Sequence, residues 1–204
     1  MCSHSSSEKW VCVFCASAAG ASPDYLQAAT ELGRRIAERG FGLVYGGATV
    51  GAMGAVADGA LAAGGAVVGV IPDVIREREI DHKGLTELHV VRTMHERKAM
   101  LAERADAFIA LPGGYGTLDE FIEIVTWAQL RIHQKPCVLV NVRGFYDGFL
   151  AFLDHTMREG LESLLRIARH LHKAAILRLD QSSRVSCEGT SARSAQRRSM
   201  IPRW

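Results

Sequence analysis

Two short stretches of this 204-residue chain carry side chains and backbone that suit the handling of an anionic ligand. The first is Pro112-Gly113-Gly114-Tyr115-Gly116-Thr117-Leu118-Asp119-Glu120. A glycine-rich turn at the start of a helix lets backbone N–H groups approach an anion at the positive end of the helix dipole, which makes a phosphate site. A second loop, Gly46-Gly47-Ala48-Thr49-Val50-Gly51, offers the same device. Neither loop has the G-x-G-x-x-G spacing of a dinucleotide site or the Lys-Ser/Thr pair of a P-loop, so NAD binding and ATP hydrolysis are not indicated. One isolated glycine pair is as well explained by a tight turn or close packing. Two such loops favour a nucleotide or sugar phosphate.

Glu120 follows Thr117 by three residues, a spacing with two readings. Thr117 can cap the helix while Glu120 reaches back to its N–H, or the carboxylate can stand beside a bound phosphosugar, ready to stabilise positive charge or activate water at C1. Met94-His95-Glu96-Arg97-Lys98 opens another helical segment with adjacent cations, where the dipole disfavours them. A solvated face explains this weakly. An anion clamp explains it better, because a guanidinium matches phosphate bidentately.

The elements that must position these residues alternate along the chain. Strands are expected at Trp10–Cys15, Phe41–Tyr45, Ala66–Ile71, Leu88–Val91, Ala107–Leu111 and Pro136–Asn141. Between them run helical segments. The first is opened by Ser22 as cap with Pro23 behind it and stopped by Gly40; the others are the small-residue stretch Gly51–Ala63, Met94–Arg104, Thr117–Leu130 and Phe145–Arg158. Nearly continuous apolar strands separated by helices imply an α/β fold, a doubly wound Rossmann-like parallel sheet with helices on both faces. Ligands of such sheets bind beyond the carboxyl ends of the strands, where the chemistry-bearing loops fall.

Composition narrows the class. With 48% apolar and 23% charged residues the chain is globular. Its net charge of +2 is uneven: from Arg178 to Trp204 six arginines against Asp180 and Glu188 give +4, leaving −2 on residues 1–177. Nucleic acid is therefore not an expected partner of the body, and a tail-borne contact would lack interleaved aromatics apart from Trp204. The N-terminal residues are polar without an apolar core of the signal-peptide type, and the 14 residues between Asp58 and Asp73 fall short of the roughly 18 of a membrane span. A cytoplasmic protein with no membrane association is expected. Cys2, Cys12, Cys15, Cys137 and Cys187 form neither a disulfide framework nor two metal-ligand pairs. Cys12 and Cys15, three apart on a strand, point to opposite faces. No metal and no cofactor are expected, and His170-Leu171-His172 is an unconvincing ligand pair.

The segment Pro112 to Glu120 resembles the PGGxGTxxE signature, and Met94 to Lys98 the accompanying Arg-Lys motif, of the LONELY GUY (LOG) family of cytokinin riboside 5′-monophosphate phosphoribohydrolases. Supporting similarity lies in Val13–Ser17, Tyr45-Gly46-Gly47, Gly51-Ala52-Met53-Gly54, Val70-Ile71-Pro72, Thr126–Leu130 and Asn141–Leu150. Members have also been labelled lysine decarboxylases; no recognisable pyridoxal-phosphate lysine motif accompanies that label here. The resemblance implies hydrolysis of the N-glycosidic bond of a nucleoside 5′-monophosphate to free base and ribose 5-phosphate, with AMP as a second substrate. It implies Arg97 and Glu120 as the catalytic pair. Substrate binding would fall to Glu79, Arg97, Lys98, Gly113, Gly114, Tyr115, Gly116, Thr117 and Thr126. It also implies a homodimer that needs no metal or cofactor.

Ala48 and Ala52 stand where many relatives have Gly and Leu, and Asp119 where Glu is frequent; none removes the proposed chemistry. The expected organisation is a polar N-terminal extension at 1–9, the LOG-like domain at 10–177 with similarity clear to about residue 160, and a basic, disordered tail at 178–204. A nucleotide-binding or carrier protein using the same loops without turnover is the alternative.

Overall fold

The computed structural model describes residues 9–76, 82–161, 176–179 and 185–187. The strands are β1 (Trp10–Phe14), β2 (Gly42–Tyr45), β3 (Val67–Pro72), β4 (Glu87–Val91), β5 (Ala107–Ala110), β6 (Cys137–Val142), β7 (Ile176–Leu179) and β8 (Val185–Cys187). The helices are α1 (Pro23–Glu38), α2 (Gly51–Ala62), α3 (Asp73–Arg76), α4 (Met94–Arg104), α5 (Tyr115–Gln129) and α6 (Asp147–Arg158). One sheet runs in the order β4-β3-β2-β1-β5-β6-β7-β8, parallel except for the antiparallel β7–β8 pair.

The expected strands and long helices form within one to three residues of their expected bounds. α3, β7 and β8 were not expected. Elements of four and three residues are too short to display a hydrophobic repeat. Arg178, Leu179 and Val185–Cys187, which the sequence reading leaves to a disordered tail, therefore occupy strand positions; the rest of 178–204 lies outside the described residues.

Strand alternation divides the core. Val11, Val13, Leu43, Tyr45 and Val67 pack on one face with Ala28, Ala29 and Ile36 of α1 and Met53, Val56 and Ala60 of α2. Cys12, Phe14, Val44, Val68 and Phe108 pack on the other with Leu101 of α4 and Phe121 and Ile124 of α5. The two helices that carry Arg97 and Glu120 thus share one face. The small residues of α2 serve helix–helix contact as well as the sheet: side chains at Gly33 or Gly59 would run into the Val56 and Thr30 carbonyls.

β1 lies at the centre, with β2, β3 and β4 laid down to one side and β5 and β6 to the other. Strand order reverses between β1 and β5, which opens a crevice at their carboxyl ends. The loops following β1, β2 and β5 all emerge there.

Candidate active site

Two helix starts, each reached by the spacing T-x-x-E, illustrate how the site is assembled. At α4 the spacing is a cap: Thr93 Oγ1 accepts from Glu96 N at 3.1 Å, and Glu96 Oε2 accepts from Arg92 N at 2.8 Å. This places an acidic residue in the first turn and offsets the unfavourable cations behind it. At α5 the same spacing is not a cap. The helix begins at Tyr115 with Gly114 as N-cap, among the described residues no side-chain hydrogen bond caps it, and no acidic residue lies in its first turn. Thr117 and Glu120 are already inside the helix, 4% and 8% exposed. The capping-box reading of Glu120 is therefore set aside.

Glu120 instead meets α4. Arg97 Nη2 lies 3.5 Å from Glu120 Oε1, each side chain 9% exposed. Arg97 Nη1 is 4.0 Å from Met94 Sδ, while Arg97 Nε is buried with no hydrogen-bond partner among the described residues. A guanidinium held in a dry site with a donor left over has capacity for a further acceptor.

The two glycine loops divide the labour that the sequence reading gave to both. In the loop after β2, glycines make room for protein atoms. A side chain at Gly46 would collide with Arg97 Nη2 and come within 2.8 Å of Met53 Sδ; one at Gly51 (φ 58) would collide with the Ser17 carbonyl. The start of α2 is closed off by the loop after β1, with Met53 N donating to the Ala16 carbonyl at 3.2 Å. Close packing is thus the use of this loop. The loop after β5 differs: a Cβ at Gly114 or Gly116 would meet nothing within 4 Å. The start of α5, with no side-chain cap among the described residues, leaves room at Gly114 and Gly116 for a ligand to approach the backbone, the kind of helix start that receives an anion.

Buried tyrosines brace both loops. Tyr45 Oη donates to the Ala48 carbonyl at 3.2 Å, and Tyr146 Oη to the Leu111 carbonyl at 2.6 Å. Neither was singled out from the sequence as a site residue; the available signal is a tyrosine in a stretch otherwise apolar enough for phenylalanine. Cys12 and Cys15 fall in opposite core clusters, as strand alternation requires. Burial, with the Glu120 carboxylate nearby, pushes both thiols well above their ordinary range, so neither supplies a thiolate nucleophile. No group of three His, Cys, Asp or Glu among the described residues is arranged to hold a metal ion.

A family model described as "Possible lysine decarboxylase" matches residues 53–175. The chain is 53% identical over 153 residues to the probable cytokinin riboside 5′-monophosphate phosphoribohydrolase LOGL5 of rice (Oryza sativa subsp. japonica), covering 75% of this chain and 62% of that protein. It is 52% identical over 153 residues to the cytokinin riboside 5′-monophosphate phosphoribohydrolase of Rhodococcoides fascians, covering 74% of this chain and 77% of that one. The chain belongs to the LOG family. Its match spans less than two thirds of the length of the rice LOG protein. Among solved structures, the LOG fold seen here is similar to the molybdenum cofactor binding protein of Rippkaea orientalis, with a TM-score of 0.59 and 26% identity over 74% of this chain and 87% of that one.

The remaining residues expected from the LOG resemblance are dispersed. Lys98, next to Arg97, gives its ammonium to Asp119 Oδ2 at 2.7 Å and Glu123 Oε2 at 3.5 Å, tying α4 to α5. Its burial alone would pull its pKa down, but these two carboxylates outweigh burial and raise it. Tyr115 is 94% exposed at the rim of the LOG signature loop. Thr126 is exposed and lies nine residues beyond Thr117, roughly 13 Å along the α5 axis, so a single chain does not bring it to the cradle. Glu79 lies outside the described residues. Among those residues no helix is long and apolar enough to cross a membrane.

Proposed function

We propose that this chain hydrolyses the N-glycosidic bond of cytokinin riboside 5′-monophosphates, with AMP as a second substrate, releasing free base and ribose 5-phosphate. The observation that carries the reading is the buried Arg97–Glu120 pair beside the open start of α5. The printed activities of the rice and Rhodococcoides relatives support it.

In this mechanism the N–H groups of Gly114 to Thr117 receive the 5′-phosphate, with Gly113 allowing Thr117 to fold back against the loop. Arg97 holds the ribose in register through its spare donor. As the base departs with the bonding pair, positive charge grows at C1, and the Glu120 carboxylate stabilises it electrostatically. The carboxylate then takes a proton from the water that adds to C1 and passes it to the departed base, giving ribose 5-phosphate and free base and restoring the carboxylate. Lys98 sets the spacing of the two helices through Asp119 and Glu123. Glu79, Tyr115 and Thr126 complete the substrate contacts in a cytoplasmic homodimer.

Incubation with isopentenyladenosine 5′-monophosphate and with AMP should release base, read by chromatography. Glu120→Gln should cut kcat by about 10²- to 10⁴-fold, the usual worth of an acid–base group. No release from any nucleoside 5′-monophosphate would overturn the reading. A second reading, a nucleotide carrier without turnover, takes support from the similarity to a cofactor-binding protein. Tight binding with only intact nucleotide recovered would favour it.

A further inference from the structure

Tyr146 is among the largest fully buried side chains, 1% exposed, at the start of α6. Its ring packs edge-on to Phe145, with centroids 4.9 Å apart, and tilted to Phe149 at 6.2 Å. Phenylalanine would satisfy that packing. The hydroxyl is costly to bury unless it is bonded, and its bond goes to the Leu111 carbonyl at 2.6 Å. The tyrosine is itself fixed: its N–H donates to Asn141 Oδ1 at 2.8 Å, and Asn141 Nδ2 donates to Asp147 Oδ1 at 2.7 Å.

Leu111 opens the loop that becomes the start of α5. Its N–H donates to the Phe14 carbonyl on β1 at 2.9 Å, and its carbonyl is taken by Tyr146. The next residue, Pro112, has no N–H to anchor the turn. The Leu111 peptide is thus held from both sides, by the central strand and by α6. A carbonyl oxygen near an anion repels it. One drawn into the core by a tyrosine hydroxyl is kept away from a ligand at the loop.

We propose that Tyr146 is a positioning residue for the phosphate end of the substrate, acting through the Leu111 carbonyl to keep the Pro112–Thr117 loop in its anion-receiving form. The inference rests on the phosphoribohydrolase reading for its substrate, but the affinity for phosphate tests it separately. Tyr146→Phe keeps the ring and removes the hydrogen bond. Thr86→Val serves as the comparison. It removes a side-chain bond to Val67 N, 2.9 Å long, at the amino end of β3, away from the carboxyl ends of the strands.

The experiment measures the affinities of ribose 5-phosphate and adenosine by calorimetry, KM and kcat for AMP, and the unfolding temperature of each form. Partial unfolding would weaken ribose 5-phosphate and adenosine by the same factor, so a destabilised variant is still informative from the comparison of the two. Tyr146→Phe should weaken ribose 5-phosphate and raise KM by about 5- to 10-fold, with kcat and adenosine affinity within about twofold. Thr86→Val should shift only the unfolding temperature. Equal losses for ribose 5-phosphate and adenosine, or a change in unfolding temperature alone for Tyr146→Phe, would overturn the proposal. If the unaltered protein binds ribose 5-phosphate but hydrolyses no nucleotide, the enzymatic reading falls and the tyrosine's role is still decided by the affinities.

Discussion

Arg97 on α4 and Glu120 on α5 face each other at 3.5 Å, buried on the same side of the sheet. Removing both charges from water costs several kcal/mol per ion, and the attraction of an ion pair at that distance does not by itself fully offset it. Arg97 Nε adds a buried donor without a bond. A pair of this kind is a poor device for stability and a good one for receiving a ligand with oxygen atoms and developing charge.

This leads to a prediction in which stability and activity move apart. Glu120→Leu alone should destabilise the protein by about 3–5 kcal/mol, because it strands the Arg97 charge. Arg97→Leu together with Glu120→Leu should recover most of that loss, or exceed the original stability, while remaining inactive. Denaturant unfolding of the two single variants and the double variant checks it; losses that simply add would contradict it.

The two glycine loops should respond in opposite ways to an added methyl group. Gly116→Ala lies inside α5 with open space around it, so it should raise stability by about 0.5–1 kcal/mol while raising KM for a nucleotide 5′-monophosphate. Gly46→Ala meets the Arg97 guanidinium and Met53, and should lower both stability and kcat. Thermal unfolding and steady-state kinetics on the two variants make the comparison.

Thiol chemistry offers a probe of the core. Cys12, Cys15 and Cys137 are buried, and burial pushes the Cys137 thiol up to about 12. None of the three should react with iodoacetamide at about pH 8 in the native protein, where a free cysteine is partly thiolate. All three should react in denaturant. Peptide mass spectrometry reads each site separately.

On α1, hydrogen bonds from Arg34 and then Arg35 pull the Glu31 carboxyl down to about 2 from its ordinary value of 4.5. A depressed carboxylate stabilises the fold above its unfolded pKa and loses that contribution as pH falls toward its folded one. Glu31 is about one-third exposed, so the contribution is discounted to about 0.5–1 kcal/mol. The stability gap between the unaltered protein and Glu31→Gln should be full near neutral pH and shrink steadily below about pH 4.5. A gap constant down to about pH 3 would refute this assignment.

Much of the molecule was legible from short-range rules. Strand and helix periods mark the elements from Trp10 to Arg158 other than α3; Ser22 with Pro23 marks the start of α1, and Ser22 Oγ does accept from Asp24 N at 3.3 Å. The signature loop and the cations after Met94 marked Arg97 and Glu120. These rules act within a few residues, so a linear reading can apply them.

What only the tertiary structure decided involves partners far apart in sequence. The spacing T-x-x-E occurs at Thr93 and Thr117, and local rules cannot say that the first caps its helix while the second delivers a carboxylate to Arg97. Gly46 and Gly116 look alike until one finds Arg97 against it and the other finds open space. Tyr146 reaches Leu111 across 35 residues, and Lys98 turns to Asp119 on the neighbouring helix. The physical reason lies in the strand order. Placing β5 beside the central β1, with α4 and α5 on one face, brings these segments together, and only then do burial and charge assign each residue its partner.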